Sequence, residues 1–186
     1  MIFKDRSRIK GTLTVKVFGP DGEIKRRNPN FLQRLLGLRG SPMISVNHNI
    51  VTDQGDAMVA DIMSETPARV KVDGTNGYIQ VGTGWTGTTP KANEVLNTPT
   101  GTTELMDSTY PQQKGAFGAA NDNVTVYRVT FEAGDLNITG IDEAGIFNNA
   151  TPASADLLAY AQITPAVDVT TADTLQVTWE ITYLGA

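Results

Sequence analysis

The chain has 186 residues, of which 40% are hydrophobic and 19% charged, a composition typical of one globular domain long enough to bury a core. It contains no cysteine and one histidine, which excludes disulfides, thiolate chemistry and a multi-histidine metal site within one chain. No apolar run approaches 18 residues, so we expect no membrane-spanning segment, and residues 1–6 lack the apolar core of a signal peptide.

The charge is divided unevenly along the chain. Residues 1–39 hold ten Lys or Arg against three Asp or Glu, a net charge of +7, whereas residues 40–186 hold five against seventeen, a net charge of −12. This pattern favours a basic segment that contacts a negatively charged partner, and the alternative is an arm folded back on its own acidic body. Clustered basic residues also suit phosphate contact, but the acidic body would repel a polyanion. An acidic protein surface is therefore the favoured partner, and nucleic acid is disfavoured.

The N-terminal part predicts a hairpin and a short helix. Residues 11–27 place β-forming side chains on both sides of the turn sequence Gly19-Pro20-Asp21-Gly22, which is a strong hairpin signal. Residues 28–45 contain an apolar, basic stretch that predicts one or two helical turns, ended by Gly37 and the residues after it. A helix this short needs tertiary contact. It either docks on another subunit or plugs the base of the core, and the sequence leaves both alternatives open.

A second helix is predicted over about residues 53–64. Thr52 or Asp53 can cap its N-terminus, and Met58 and Ile62 share one side of it because they are four residues apart. Gly55 weakens the prediction. Acidic residues in the first turn favour the positive end of the helix dipole, so we interpret them as structural.

The middle of the chain predicts two strands and a long irregular stretch. Residues 69–72 and 78–82 are strand candidates, and glycine, threonine and proline mark an exposed loop over 83–90. Residues 91–123 are expected to be irregular, with one helical turn at 103–106. A long stretch without regular structure in a compact domain is typically functional or contact-forming.

The last third predicts a series of strands. Residues 175–183 alternate large apolar and polar side chains with the period of two that a half-buried strand requires. Turn signals about every 8–12 residues favour antiparallel pairing. We therefore predict a mainly β protein, an antiparallel, jelly-roll-like β-sandwich with one short helix and an extended N-terminal arm: residues 1–45 form the arm and 46–186 the body. The other predicted strands are 124–132, 136–141, 144–147, 157–163 and 167–169.

Motifs for catalysis or for binding phosphate are weak in this sequence. The glycines of residues 82–87 are followed by neither the lysine nor the helix of a phosphate-binding loop, so a turn is the better interpretation. Asp142 and Glu143 are adjacent and would point to opposite faces of a strand, so we expect them not to share one site. His48 has no nucleophile or carboxylate at a known spacing, and we interpret it as a loop residue. We predict a protein that is not an enzyme, with no catalytic residue, cofactor or metal.

The order of several short motifs resembles the small virion structural proteins of tailed bacteriophages. The motifs occupy residues 47–52 before a capped helix, 78–84 followed by the Thr89-Pro90 step, 94–96, 141–147 (IDEAGIF) and 157–160 (LLAY). The resemblance covers about residues 47–186, and the segment 28–45 departs from it. It implies a capsid decoration, or cement, protein that binds the outside of the head shell, or alternatively a protein at the base of a tail or head fibre.

The resemblance also implies a homotrimer, the major capsid protein as partner, and a location on the virion surface after assembly in the host cytoplasm. The basic N-terminal part would anchor the protein. The alternative to a virion structural protein is a glycan-binding module that uses Trp85 and Tyr110. The residues predicted to contact the capsid are Lys4, Arg6, Arg8, Lys10, Lys25, Arg26, Arg27, Phe31, Arg34, Leu35 and Arg39.

Overall fold

The computed structural model describes residues 9–88, 91–100 and 102–183, and its fold is mainly β, as predicted. The described strands pair antiparallel in one sheet with the order β4-β3-β7-β8-β2-β1-β9-β6-β5. The elements are β1 (Ile9–Phe18), α1 (Phe31–Leu35), β2 (Ile44–Val51), α2 (Asp53–Ile62), β3 (Tyr78–Gly82), β4 (Glu104–Leu105), β5 (Gln112–Gln113), β6 (Val124–Phe131), β7 (Ile138–Phe147), a 3-10 helix (Pro152–Ser154), β8 (Leu157–Val169) and β9 (Thr174–Tyr183).

Strand β9 lies between β1 and β6 and carries the centre of the core. Leu175, Val177, Trp179 and Ile181 are fully buried, while the residues between them are partly exposed. This confirms the strand predicted from the alternation of apolar and polar residues. Burying each large apolar side chain contributes roughly 1.5–3 kcal/mol, which explains why the sheet is built around this segment.

Strand β1 belongs to the same core. Leu13, Val15 and Val17 are fully buried, and β1 pairs with β9 along its whole length and with β2 on its other side. The predicted division between an arm and a body at residue 45 therefore falls inside strand β2 and does not separate two parts of the sheet. The physical reason is the alternation of apolar side chains in β1, which places one face of this basic strand in the core.

The two edges of the sheet meet through one short segment. Strands β4 and β5 lie at opposite edges, yet only residues 106–111 separate them in the chain. Within this segment the Met106 amide donates to Gly77 O and the Asp107 amide donates to Arg128 O, both at 2.9 Å. The sheet therefore curls on itself into a sandwich-like body. The prediction of a helical turn at residues 103–106 was wrong, because Glu104 and Leu105 pair with β3 as strand β4.

Helix α2 covers strand β8. The helix begins as predicted, with the Thr52 hydroxyl accepting a hydrogen bond from the Gly55 amide at 3.0 Å. Its own residue Met58 is buried. A Cβ at position 55 would lie 2.2 Å from Leu158 O. The glycine that weakened the helix prediction is therefore what allows the helix to lie close to the sheet.

Several strand boundaries differ from the predictions. Residues 69–72 do not form a strand, and the segments 136–141 and 144–147 are joined in β7. The predicted strands 157–163 and 167–169 are likewise parts of one continuous strand, β8. The long strands arise because β7 and β8 pair with each other through several register shifts, which absorb the irregular residues between the apolar runs. In the described ranges, no helix has the length and apolarity to cross a membrane.

Candidate docking surface

Residues 19–43, here called the lobe, leave the sheet after β1 and return to it as β2. The lobe begins with the predicted turn, in which the Gly19 amide donates to Glu23 O and the Gly22 amide donates to Gly19 O, both at 2.9 Å. The returning chain makes two isolated bridges, Phe18 with Ile24 and Arg26 with Pro42. The predicted hairpin is therefore short, because the chain folds back on itself instead of forming a second long strand.

Basic side chains predicted to contact a partner hold the lobe to the body. The Arg26 guanidinium donates to Gly40 O at 3.0 Å. Arg27 donates to the carbonyl oxygens of Ala166 at 2.6 Å and Pro165 at 3.2 Å. These contacts tie the two strands of the lobe to each other and to β8, so part of the basic charge of this segment has an intramolecular structural role.

Lys25 fastens the lobe to the turn between β8 and β9. Its Nζ lies 2.5 Å from Oδ2 of Asp173, whose side chain is 4% exposed. The same oxygen accepts hydrogen bonds from the amide and hydroxyl of Thr170, both at 2.7 Å. Burial would raise the pKa of Asp173, but the hydrogen bonds from Lys25 and Thr170 outweigh it and hold this pKa below its usual value.

Helix α1 is a short helix whose two ends are held by hydrogen bonds within the lobe. Asn30 and Gln33 form a capping box, with the Gln33 amide donating to Asn30 Oδ1 at 2.8 Å and the Asn30 amide donating to Gln33 Oε1 at 2.9 Å. Arg34 Nε donates to Pro29 O at 3.0 Å, and the Leu38 amide donates to Gln33 O at 2.7 Å. The helix therefore has a defined shape before any partner binds.

The apolar side chains on and after α1 point away from the core. None of the residues of α1 is buried, so in the single chain the helix does not plug the base of the core. The exposed fractions are 78% for Phe31, 64% for Leu32, 71% for Leu35, 69% for Leu36 and 55% for Leu38. A contiguous run of exposed large apolar side chains is typical of an interaction site.

The structure gathers most of the predicted contact residues in the lobe. These are Lys25, Arg26, Arg27, Phe31, Arg34, Leu35 and Arg39. Lys10 lies in β1 opposite Thr182, at the other end of the sheet, and Lys4, Arg6 and Arg8 lie outside the described residues. The predicted set did not include Leu32, Leu36 and Leu38, although five apolar residues within the eight positions 31–38 gave a signal for them.

A second polar cluster surrounds Glu143, which is fully buried in β7. Its carboxylate accepts hydrogen bonds from the backbone amides of Gly84 at 3.2 Å, Asn97 at 3.1 Å and Thr98 at 2.8 Å. The Tyr160 hydroxyl donates to the same carboxylate at 2.5 Å. Burial, followed by this hydrogen bond to a charged neighbour, raises the pKa of Tyr160, so the hydroxyl stays protonated as a donor.

The Glu143 cluster fastens the loop that follows β3. Asp142 accepts a hydrogen bond from the Trp85 amide at 3.1 Å, next to the Gly84 amide that Glu143 binds. The two carboxylates were expected not to share a site, but both bind this loop, because a register shift lies between Ile141 and Glu143 in the pairing of β7 with β8. The donors to Glu143 come from the chain itself, which is typical of a structural role.

Other residues considered from the sequence are separated in space. His48 lies on the exposed side of β2 and not in a loop. The Trp85 ring packs against Tyr160, with ring centroids 5.8 Å apart, whereas the guanidinium of Arg128 covers the Tyr110 ring at 4.3 Å. Trp85 and Tyr110 therefore belong to different clusters. Over the part of the chain that the structure describes, no three His, Asp or Glu side chains are grouped so that they could hold a metal ion.

The chain was compared with protein-family models, with curated proteins and with solved structures, and none of them matched.

Proposed function

We propose that this protein is a structural component of a tailed-bacteriophage virion that binds the outside of the head shell through its lobe. The observation that carries the proposal is the exposed apolar surface of α1 and the residues after it. The order of motifs along residues 47–186 supports the choice of a virion. The same order supports a capsid decoration protein as the type and the major capsid protein as the partner.

The lobe is suited to docking because its shape is fixed in advance. The capping box and the hydrogen bond from Arg34 to Pro29 hold α1 in place, so little conformational entropy is lost on binding. When a partner covers exposed apolar side chains such as Phe31 and Leu35, their removal from water makes the free energy of binding more favourable. The sheet supplies a rigid base for this surface.

The basic residues of the lobe indicate which charges should surround the binding site on the partner. Arg34 and Arg39 are exposed beside the apolar side chains, so the complementary surface is an apolar groove with carboxylates at its edge. Complementary charges mainly speed the encounter and fix its orientation. Association should therefore slow as salt is added, while the apolar contacts should hold the bound state.

Binding to empty head shells that lack this protein tests the proposal. The double variant Leu32→Asp, Leu35→Asp should lose affinity about tenfold or more, because it removes central apolar contacts. Met63→Asp is the matched control, since Met63 is 82% exposed but lies at the end of α2. Deleting residues 1–40 would remove β1 from the core, so point variants are the sharper test.

Two outcomes would contradict the proposal. If the double variant, folded as judged by circular dichroism, coats the shells as well as the wild type, the lobe is not the docking surface. If labelled protein is counted on intact particles and only a few copies are present, the protein belongs to the tail or a fibre base. Hundreds of copies per head are expected for a decoration protein.

A further inference from the structure

The sequence contains one Asn-Gly pair, Asn76-Gly77, and the structure places it in a tight turn directly before β3. The carboxylate of Asp73 accepts hydrogen bonds from the backbone amides of Thr75 at 2.8 Å and Asn76 at 2.9 Å, which is how an aspartate side chain shapes a turn. Strand β3 then begins at Tyr78. The pair therefore lies at the point where a loop joins the sheet.

The fold requires glycine at position 77. A Cβ there would lie 2.5 Å from Asp73 O and 2.9 Å from the Met106 side chain, so any other residue would displace the backbone. The Gly77 carbonyl accepts a hydrogen bond from the Met106 amide at 2.9 Å, whereas the Gly77 amide donates no hydrogen bond to a described residue. The nitrogen that follows Asn76 is therefore neither shielded by a Cβ nor held by an acceptor within the described part of the chain.

The side-chain amide of Asn76 is weakly held. Its Nδ2 lies 3.5 Å from Asp73 Oδ1, at the limit of a hydrogen bond, and the residue is partly exposed to water. By contrast, Nδ2 of Asn97 donates to the Tyr160 hydroxyl at 3.0 Å and Nδ2 of Asn148 donates to Val70 O at 2.7 Å. Asn76 therefore combines a loosely held side-chain amide with an open backbone nitrogen next to it.

We propose that Asn76 is a site of spontaneous covalent modification, in which the backbone nitrogen of Gly77 attacks Cγ of Asn76. The new bond between this nitrogen and Cγ closes a succinimide ring. The bond between Cγ and Nδ2 breaks, and ammonia leaves with the proton that the Gly77 nitrogen gives up. Water then opens the ring at one of its two carbonyl carbons. The product is aspartate, or isoaspartate in which the main chain runs through Cγ. The reaction consumes only water and needs no cofactor.

Either product should weaken the junction between the turn and the sheet. The hydrogen bond from the Thr75 amide is the main cause that holds the pKa of Asp73 below its usual value, so Asp73 is ionised at neutral pH and would repel a second carboxylate at position 76. Isoaspartate lengthens the main chain by one methylene group directly before β3, which would move Gly77 O away from the Met106 amide. Met106 begins the segment that joins the two edges of the sheet, so the modification would loosen this closure.

Incubation of the full-length protein in mildly alkaline buffer, followed by peptide mapping with mass spectrometry, tests the modification. The tryptic peptide 72–91 should convert from the amide to a mixture of aspartate and isoaspartate. Conversion of Asn76 should be well advanced before any is detected at Asn121, which is exposed but followed by an aspartate. Asn28 should not convert, because the proline after it has no hydrogen on its nitrogen. The variant Asn76→Gln should stay intact, since its longer side chain closes the larger ring much more slowly.

Three results would overturn the proposal. The first is that Asn76 stays intact while Asn121 converts. The second is that aspartate forms without isoaspartate, because direct hydrolysis of the side chain gives aspartate alone. The third is that hydrogen exchange at the Met106 amide is the same before and after conversion, since we expect it to accelerate in the incubated wild type and not in incubated Asn76→Gln. Shell binding is not a readout of this experiment, so its outcome is independent of the proposed function.

Discussion

The carboxylate of Asp107 binds Arg128 across the line where the two edges of the sheet meet, with Oδ2 2.6 Å from Nε. The same oxygen accepts a hydrogen bond from the Thr130 hydroxyl at 3.0 Å. Asp107 follows β4, and Arg128 lies on β6 at the other side of the sheet. This contact therefore closes the curled sheet, and its two partners are 21 residues apart in the chain.

Asp107→Ala should destabilise the fold through loss of this closure. Hydrogen bonds to charged groups contribute roughly 1.5–3 kcal/mol each, and the partial exposure of Arg128 places the expected loss at the lower end of that range. Urea unfolding followed by tryptophan fluorescence measures it. Glu65→Ala, at an exposed position away from the closure, is the control; equal stability of the two variants would contradict the role of Asp107.

Glu143→Gln should destabilise the protein more than a surface substitution. The amide that replaces one carboxylate oxygen is a donor, and it would face backbone amides that are donors themselves. Leaving buried groups without partners costs about 1–3 kcal/mol each. Hydrogen exchange at the Gly84, Asn97 and Thr98 amides should also accelerate.

The control for Glu143 is Glu180→Gln. Glu180 pairs with Lys114 on the surface at 2.7 Å, and exposed pairs of this kind contribute roughly 0–1 kcal/mol. If Glu143→Gln changed unfolding and amide exchange no more than this control, the buried carboxylate would not be holding the loop.

Asp173 should make stability depend on pH in the acidic range. Its pKa is lowered in the folded protein, so its stabilising contribution is fully present above the unfolded value of about 3.9 and is lost as the pH falls through the folded value. Asp173→Asn should be less stable than the wild type at pH 7. The difference should close as the pH falls below about 4, and a difference that stayed constant down to acidic pH would contradict the assignment.

Glu104 should have the opposite effect on stability. Burial, and then the negative charges of Asp135, Asp107 and Glu132, raise the pKa of Glu104 despite a backbone hydrogen bond at Leu105. The folded protein therefore binds this proton more tightly than the unfolded chain, and stability falls as the pH rises above the unfolded value of about 4.3. Glu104→Gln should be more stable than the wild type at pH 7 and equal to it near pH 3. Thermal unfolding across this range measures the change, and a less stable variant at pH 7 would contradict it.

Gly40→Ala should open the lobe while the sheet remains folded. A Cβ at this position would lie 1.6 Å from Arg27 O, which is far inside contact distance, so the two strands of the lobe would have to separate. Trypsin should then cleave at Arg26, Arg27 or Arg34 sooner than in the wild type, and shell binding should weaken. Ser41→Ala is the control. Unchanged cleavage and binding for Gly40→Ala would show that the lobe can adjust to the added methyl group.

The sequence by itself determined the strands that alternate apolar and polar residues, because period-two burial is a local property. Residues 175–183 and 78–82 were predicted at nearly the bounds that the structure shows, and so was the Thr52 cap of α2. The short helix within residues 28–45 was also predicted, and α1 lies there, whereas the extended arm was not found because β1 belongs to the sheet.

Only the tertiary structure decided which partners these elements take. Local sequence did not show that β1 lies in the core, that Glu143 binds amides of a loop about 45 to 60 residues away in sequence, or that β4 and β5 close the sheet. It left open whether the apolar helix α1 was buried, because burial depends on whether other elements cover a residue, and α1 extends from the sheet with none of its residues covered. Apolar contact is non-directional, so the sequence shows which side chains favour burial, and the fold determines where each one is buried or left exposed.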